Sequence, residues 1–224
     1  MIHVKDHDIV TPGELLSDEG NGSHGTYLEG TKVFSKYFGV IRIEPKGVGV
    51  QPLTSVYEPM EGDEVVGQIT EVGGKYWVVD INAPYYTRLD VRDMNIRIDT
   101  NELDKYLDIG DLVYVRVFKI YPNHSADVSM RGTRYAKLPG RTTAKIDIMK
   151  LPRLIGKEGT MINIIKTETN CDMLVGQNGI VWINGEDYNK ALALAAVNLV
   201  EKEYYNPNLM DKIKELLKNV RGKV

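Results

Sequence analysis

The stretch RLIGKEGTMINII, residues 153–165, decides how the last third of this chain folds. Gly156 and Gly159 interrupt a segment that is otherwise compatible with a helix. A glycine inside a helix costs about 0.5–1 kcal/mol relative to alanine. Two of them at this spacing indicate either a break between two helices or a backbone that a ligand approaches closely.

The segments around these glycines predict the order strand, helix, glycine loop, helix, strand, strand, helix. The first strand is RTTAKIDI, the first helix is MKLPRLI, and the apolar residues of TMINIIKTE recur at helical spacing. The runs CDMLV and IVWIN are short and flank turn residues, which is typical of strands. The segment EDYNKALALAAVNLVEKEYY predicts a long amphipathic helix with acidic residues at its start, where the helix dipole favours them.

This order, together with LIGKEGTMINII, resembles a KH domain, whose I-G-x-x-G-x-x-I core is matched by Ile155, Gly156, Gly159 and Ile162. The resemblance implies that the loop clamps the backbone of about four nucleotides. Glycines let phosphates approach the main chain, and the N–H groups that open the next helix face an anion. The alternative is a helix-turn-helix in which the glycines serve geometry alone. The residues predicted to contact RNA in this domain are Arg153, Gly156, Lys157 and Gly159.

A second glycine pair lies between the two predicted strands of this domain. Gly176-Gln177-Asn178-Gly179 predicts a tight hairpin, because Asn-Gly tolerates the positive φ angles of such turns. We interpret its physical role as that of a turn. As a sequence feature, G-x-N-G followed by a strand with an aromatic residue resembles the KH domains of the RNA exosome's cap subunits.

Two other phosphate-binding loops are excluded by the sequence. A P-loop requires G-x-x-x-x-G-K-[ST], but Glu158 follows Gly156-Lys157 and Leu151 stands where the first glycine belongs. The stretch GNGSHG, residues 20–25, matches the dinucleotide-binding pattern G-x-G-x-x-G literally. No strand precedes it and no helix follows it, so we interpret it as a flexible loop.

Residues 58–138 predict a small barrel. Its strands are expected in GDEVVGQITEV, KYWVVDIN, GDLVYVRVFKIY and SADVSMRG, with an irregular stretch and a short helical insert, TNELDKYL, between the second and third runs. In GDLVYVRVFKIY, Val113, Val115 and Val117 alternate with more polar residues. Several short strands in about 80 residues favour a five-stranded Greek-key barrel of the OB type.

These runs resemble the OB domain that is repeated in the largest protein of the small ribosomal subunit. The resemblance implies that surface aromatics stack on bases of a single strand, at about 1–3 kcal/mol per base, while Arg or Lys holds phosphates. For each aromatic residue, packing inside the barrel is the alternative. The predicted contact residues are Tyr76 or Trp77, Tyr85, Tyr86, Arg88 and Arg131.

The fold class is therefore multidomain, β-rich plus α/β. We expect a small β domain without helices at residues 1–57, the OB barrel at residues 58–138, and a KH domain (β-α-α-β-β-α) with a C-terminal helical extension at residues 139–224. Net charge is −3 over 224 residues, but the three blocks carry −2, −4 and +3. The basic last block favours contact with polyanions.

Catalytic and metal-binding patterns are sparse. His3 and His7 lie four residues apart without a third ligand, and Asp90, Asp93, Asp99, Asp104 and Asp108 are interpreted as a solvated acidic face. We therefore predict no catalytic residue, no metal and no cofactor. No apolar run approaches the roughly 20 residues of a membrane helix, and the N-terminus lacks a secretory pattern, so the expected location is the cytoplasm. Cys171 is the only cysteine, which excludes a zinc ribbon.

The order of the three domains, together with GQNGIVWI, resembles the RNA-binding cap subunit of the archaeal-type exosome. The resemblance implies that three copies sit on a hexameric ring of phosphorolytic subunits and draw the 3′ ends of single-stranded RNA toward the ring. The ring subunits then degrade the RNA from 3′ to 5′, the cap is not an enzyme, and the N-terminal unit docks on the ring. The sister cap subunit carries a zinc ribbon and is excluded by the single cysteine.

Two alternatives remain at this point. The first is a transcription or translation factor that binds RNA by OB and KH modules. The bacterial antitermination factor has this order, although it has two KH domains. The second is a fragment of a nuclease or of polynucleotide phosphorylase, in which KH precedes OB.

Overall fold

The computed structural model of the chain describes residues 2–45, 47–53, 56–96, 98, 103–203, 206 and 208–221. The chain divides into two compact units, residues 1–55 and residues 56–224. Within the described residues, none of the helices combines the length and the apolar composition that crossing a bilayer requires.

The first unit consists of two three-stranded antiparallel sheets. Its strands are β1 (Ile9–Val10), β2 (Leu15–Ser17), β3 (Thr26–Glu29), β4 (Lys32–Ser35), β5 (Gly39–Glu44) and β6 (Gly47–Pro52). The strand orders are β1-β5-β6 and β2-β4-β3. Aliphatic residues from both sheets form its core: Val10, Leu16, Val33, Ile41, Val48 and Val50. The described residues of this unit contain no helix, in agreement with the sequence.

The glycine-rich stretch GNGSHG is a loop, as predicted, but backbone hydrogen bonds attach it to a neighbouring strand. It lies alongside β6, where the backbone N–H of Ser23 donates to the carbonyl of Val48 at 3.0 Å. The N–H of Val50 likewise donates to the carbonyl of His24 at 2.8 Å. Gly25 has φ +75°, and a Cβ there would lie 2.2 Å from the carbonyl oxygen of Val50. Glycine is needed here for close approach of two backbones.

The second unit begins with the barrel. Its elements are β7 (Glu64–Val72), β8 (Tyr76–Asp80), β9 (Thr87–Asp90), α1 (Leu103–Tyr106), β10 (Leu112–Ile120), β11 (Ala126–Ser129) and β12 (Ala136–Leu138). The antiparallel strands run in the order β9-β8-β7-β10-β11, and the parallel pairing of β9 with β11 closes the circle. This is the five-stranded OB topology that the sequence predicts. Val113, Val115 and Val117 point into the core and are fully buried.

Strand β9 lies in the stretch that the sequence predicts to be irregular. Thr87 and Leu89 are buried while Arg88 and Asp90 are half-buried, so the strand has the expected alternation. The alternation covers only four residues and is interleaved with charge, which hides it in the sequence. Residues 100–102 of the predicted helical insert lie outside the described residues, and α1 occupies its remainder.

The rest of the second unit has the KH order. Its elements are β13 (Thr143–Lys145), α2 (Leu151–Ile155), α3 (Thr160–Thr169), β14 (Asp172–Val175), β15 (Ile180–Asn184), α4 (Asp187–Lys202) and α5 (Leu209–Arg221). The strands form an antiparallel sheet in the order β13-β15-β14. The helices cover it through Leu154, Ile165, Ala196 and Val200, and α5 adds Ile213 to the same core.

The hairpin Gly176–Gly179 joins this sheet to the barrel. Asn178 is 0% exposed, and its side-chain Nδ2 donates to the carbonyls of Val66 at 2.7 Å and of Ile81 at 2.8 Å. Gln177 makes two hydrogen bonds with the backbone of Glu64. Its N–H donates to the Glu64 carbonyl at 2.9 Å, and its side-chain Oε1 accepts from the Glu64 N–H at 2.6 Å. The turn therefore docks the KH domain onto the end of the barrel.

The sequence interpretation of this hairpin as only a turn is incomplete. Gly179 has the positive φ, +79°, that the Asn-Gly pattern predicts, whereas Asn178 is not among the residues with positive φ. The side chain of Asn178 thus binds the barrel at the domain junction, and its backbone does not adopt an unusual turn conformation.

Candidate nucleic-acid interface

The loop between α2 and α3 has a backbone that requires glycine. Gly156 has φ +74° and Gly159 has φ +77°, and Glu158 between them is also left-handed at φ +54°. A Cβ on Gly156 would lie 2.8 Å from the backbone nitrogen of Met161, whereas a Cβ on Gly159 would meet nothing closer than 3.5 Å. The first glycine is therefore fixed by both space and φ, and the second by φ alone.

The charged residues of this loop are exposed to solvent. Lys157 and Glu158 are both exposed, and the ten-residue helix α3 starts immediately after Gly159 without a side-chain N-cap. The N–H groups of a helix's first turn have no partner within the helix, so they can donate to an anion. The geometry leaves room for a phosphate to approach the backbone, and contact of this loop with RNA stays a prediction.

Arg153 lies on α2 but points to another part of the KH domain. Its Nη2 donates to the backbone carbonyl of Asn206 at 2.7 Å, in the connection between α4 and α5. The side chain is half-buried, and its Nε is buried without a hydrogen-bond partner. A phosphate at Arg153 would therefore compete with an internal contact.

Trp77 cannot stack on RNA, because it is 0% exposed. Its indole Nε1 donates to the carbonyl of Leu107 at 2.9 Å, which satisfies its one polar group inside the barrel. Of the predicted pair Tyr76 or Trp77, only Tyr76 reaches the surface. The prediction for Trp77 is wrong because Trp77 shares its face of the strand with Val79 and Ile81, which are also buried, whereas Tyr76 shares the opposite face with the exposed Asp80.

The barrel surface carries an open pocket of about 680 Å³ next to Tyr76. Tyr86, which is 51% exposed, and Tyr121 line it together with Arg88 and Asp127. Burial and a hydrogen bond with Tyr76 raise the pKa of Tyr86, so its hydroxyl stays protonated at neutral pH. Phenol rings around an open pocket are suited to stacking on an unpaired base.

Arg88 contacts this pocket as half of an ion pair. Its Nε and Nη2 donate to the two carboxylate oxygens of Asp127 at 3.1 and 3.0 Å, and Tyr121 donates to the same carboxylate at 2.7 Å. The interaction with Asp127 raises the pKa of Arg88. Much of its charge is therefore already balanced. Asp127 is not among the site residues predicted from the sequence, since a lone carboxylate in SADVSMRG gives no signal of this role.

The remaining predicted contacts lie on different parts of the barrel. Tyr85 stacks on His124 with ring centroids 4.9 Å apart, so one face of its ring is already covered. Arg131 is exposed, and its Nε lies 3.1 Å from the carbonyl of Arg92 and 3.5 Å from the carboxylate of Asp93. The structure thus brings Tyr76, Tyr86 and Arg88 together and leaves Arg131 outside their pocket.

The predicted acidic face contains internal ion pairs. Asp90 binds the guanidinium of Arg92 at 3.0 Å, which holds the pKa of its carboxyl below the usual range. Burial raises the pKa of Asp93. Asp104 and Asp108 are exposed, and Asp99 lies outside the described residues. Among the described residues, no three His, Cys, Asp or Glu side chains are grouped as a metal site would require.

Comparison with known proteins identifies the family. A family model described as the RRP4 S1 domain matches residues 56–119. Exosome complex component Rrp4 of Picrophilus torridus is 37% identical over 215 residues, covering 96% of this chain and 94% of that relative. Exosome complex component Rrp4 of Methanosarcina mazei is 37% identical over 219 residues, covering 97% and 84%. The chain belongs to the Rrp4 family of exosome complex components.

A solved structure agrees with this assignment. It is described as an exosome complex RNA-binding protein and has a TM-score of 0.68 to this chain at 26% identity, over 75% of this chain and 98% of that one. The structural match therefore covers most of the fold.

Proposed function

We propose that this chain is the non-catalytic RNA-binding cap subunit of an exosome and guides the 3′ ends of single-stranded RNA into a phosphorolytic ring. The observation that carries the proposal is the near-complete coverage by relatives named exosome complex component Rrp4. The order of β domain, OB barrel and KH domain agrees with it. A factor of the antitermination type would require a second KH domain, and a polynucleotide phosphorylase fragment would require the reverse order.

Each part of the chain has a place in this proposal. The N-terminal domain, residues 1–57, docks on a hexameric ring, and three copies of the chain occupy one ring. The loop at Gly156, Lys157 and Gly159 and the barrel pocket at Tyr76, Tyr86 and Arg88 contact the RNA. The complex acts in the cytoplasm, and the ring subunits cut the RNA.

A native pull-down tests the assignment. The tagged full-length chain, expressed in its own cells, is expected to recover phosphorolytic subunits, with a mass that fits three copies per six ring subunits. Recovery of ribosomes or RNA polymerase without those subunits would contradict the proposal and favour a translation or transcription factor.

Activity of the isolated chain separates a cap from an enzyme. The purified chain, incubated with end-labelled RNA plus phosphate or Mg²⁺, is expected to leave the RNA intact, whereas the reconstituted complex shortens it. Shortening by the chain alone would show that the cap assignment is wrong.

A further inference from the structure

The segment between the barrel and the KH domain is positively charged, whereas the chain as a whole is negatively charged. From Val128 to Ile146 there is no acidic residue, although the whole chain has a net charge of −3. The same segment carries five basic residues, all exposed: Arg131, Arg134, Lys137, Arg141 and Lys145. We call residues 131–145 the basic strap.

The strap follows one edge of β10 toward the KH sheet. Strand β11 pairs with the second half of β10, and β12 then pairs with the first half, with Ala136 opposite Tyr114 and Leu138 opposite Leu112. The chain continues into β13, which contains Lys145. At about 3.4 Å per residue, the distance along β10 from Phe118 to Leu112 is about 20 Å. Backbone pairing therefore holds part of this run of cations on a defined path.

Two open cavities lie along this path. The first, of about 550 Å³, is lined by Arg116, Phe118 and Arg131 together with Glu61. The second, of about 400 Å³, is lined by Lys137 and Arg141 together with Asp111, which pairs with Lys137. Phe118 is 42% exposed beside the two arginines of the first cavity. A positive groove with an exposed aromatic ring is the combination by which proteins hold single-stranded nucleic acid.

The cations along the path differ in how strongly they are held by carboxylates. The exposed guanidinium groups of Arg131 and Arg134 lie 3.5 Å and 3.3 Å from the partly buried carboxylates of Asp93 and Glu64. Arg131 also donates to the carbonyl of Arg92. A phosphate at either arginine would therefore compete with internal partners. Within the part of the chain that the structure describes, the side chains of three cations of this path make no hydrogen bond or salt bridge, although two of them lower the pKa of a nearby carboxyl (Arg116 that of Glu64 and Arg141 that of Asp111): Arg116, Arg141 and Lys145.

We propose that the basic strap and Phe118 form a track for single-stranded RNA between the barrel and the KH domain. Phosphates lie against Arg116, Arg141 and Lys145, and one base stacks on Phe118. The track rests on the proposed function, which supplies RNA as the ligand. It lies outside the pocket at Tyr76 and the glycine loop, and it shares only Arg131 with the predicted contacts.

A pair of matched double variants tests the charge of the track. R141Q/K145Q removes two strap cations, and K202Q/K214Q removes two exposed lysines of α4 and α5 from the same chain. Each phosphate contact contributes about 0.7 to the slope of log affinity against log salt for a single strand. The first variant is expected to make this negative slope less steep by about 1.4 and to reduce the affinity at low salt by about tenfold. The second is expected to change affinity less than about twofold.

A third variant separates stacking from charge. F118L removes the aromatic ring from an exposed position and keeps an apolar side chain. It is expected to lower the affinity for single-stranded RNA about five- to tenfold without changing the salt slope, because stacking releases no counterions. An unchanged affinity would overturn the stacking part of the track.

The measurement uses the full-length chain in the reconstituted complex with a fluorescent single-stranded RNA of mixed sequence. Equal effects of R141Q/K145Q and K202Q/K214Q would overturn the track. Unchanged RNA affinity with loss of ring subunits from R141Q/K145Q would also overturn it and assign the strap to protein docking. If the parent chain binds neither RNA nor ring subunits, the proposed function fails instead, so the two failures are distinguishable.

Discussion

The KH domain contains two turns with the same G-x-x-G spacing and opposite surroundings. Gly156–Gly159 and Gly176–Gly179 both end on a glycine with positive φ, at +77° and +79°. In the first turn the central residues are an exposed Lys-Glu pair, and in the second they are Gln177 and a fully buried Asn178. The two turns share only the positive φ of the final glycine, since Gly156 and Glu158 also have positive φ whereas Gly176 and Asn178 do not. The central side chains differ in whether they face solvent or another domain.

The difference has an energetic basis. Asn178 can be buried because its Nδ2 satisfies the carbonyls of Val66 and Ile81, and an amide carries no charge to desolvate. A glutamate in place of Asn178 would bury a negative charge against these two carbonyls, with no group to donate to them. The exposed turn is consequently accessible to a ligand, whereas the buried turn is covered by the barrel.

The largest expected effect is on the buried turn. N178V/G179V removes the donor to two carbonyls, at about 1–3 kcal/mol each, and forces a β-branched residue to positive φ. A Cβ at residue 179 would also lie 2.3 Å from the carbonyl oxygen of Ile146. We expect the free energy of unfolding to fall by about 4 kcal/mol or more in a urea titration. A loss below about 1 kcal/mol would contradict the role of the junction.

The next test compares the two glycines of the exposed turn. G159A loses stability only through left-handed φ, about 1–2 kcal/mol. G156A should lose about 1–2 kcal/mol more, because its Cβ would also lie 2.8 Å from the backbone nitrogen of Met161. Thermal unfolding of the two variants measures the difference. Equal losses would mean that the loop relaxes freely around residue 156.

A pH titration is expected to weaken the side-chain contacts of Glu64, whose backbone bonds to the buried turn. The carboxylate of Glu64 accepts hydrogen bonds from Tyr114 at 2.7 Å and Tyr135 at 2.9 Å, and the bond from Tyr114 lowers its pKa below 4.5. A carboxyl with a lower pKa in the folded chain stabilises it above about pH 4.5, and this stabilisation is lost as pH falls through the folded value.

E64Q tests this dependence directly. At pH 7 the substitution should cost about 1 kcal/mol of unfolding free energy, because the tyrosine hydroxyls lose a charged acceptor. The gap between parent and E64Q should close as the pH falls below about 4.5. A gap that stays constant or widens in acid would contradict the assignment.

The smallest expected effect on stability is at the exposed turn, where RNA affinity is the readout. K157D/E158D replaces one phosphate contact by repulsion and should lower the affinity for single-stranded RNA about three- to tenfold. The free energy of unfolding should change by less than about 0.5 kcal/mol. K214D/E215D on α5 is the matched control, since it alters an adjacent, exposed Lys-Glu pair in the same way. Equal binding by both variants and the parent would limit the glycines to a structural role.

Local patterns in the sequence were enough for many of the elements, although not for β9. The helical spacing of TMINIIKTE, the alternation around Val113, Val115 and Val117, and the turn signal of Gly179 each depend on neighbouring residues only. The structure has α3, β10 and the hairpin at these places. The resemblance to OB and KH domains predicted the order of the domains.

Contacts between distant residues could not be predicted in this way. Asn178 bonds to Val66, which is 112 residues away, and an Asn-Gly turn looks complete without that partner. The surface position predicted for Trp77 is wrong for a different reason, since Asp80 on the opposite face of its strand already indicates that Trp77 points inward. The docking of GNGSHG depends on β6, where Gly47 and Gly49 leave space for a neighbouring backbone. These glycines are visible in GVGV, but nothing in the sequence shows which segment fills the space.

The long separation between Asn178 and its partners also has a consequence for the order of folding events. Contacts between residues far apart in sequence require a large loop to close, so they form late compared with local turns. During synthesis the barrel strands, residues 64–129, emerge before the ribosome has made the hairpin, and the carbonyls of Val66 and Ile81 are hydrated until then. Docking of the KH domain thus follows the folding of these strands, and the amide group of Asn178 then replaces the water that hydrates the two carbonyls.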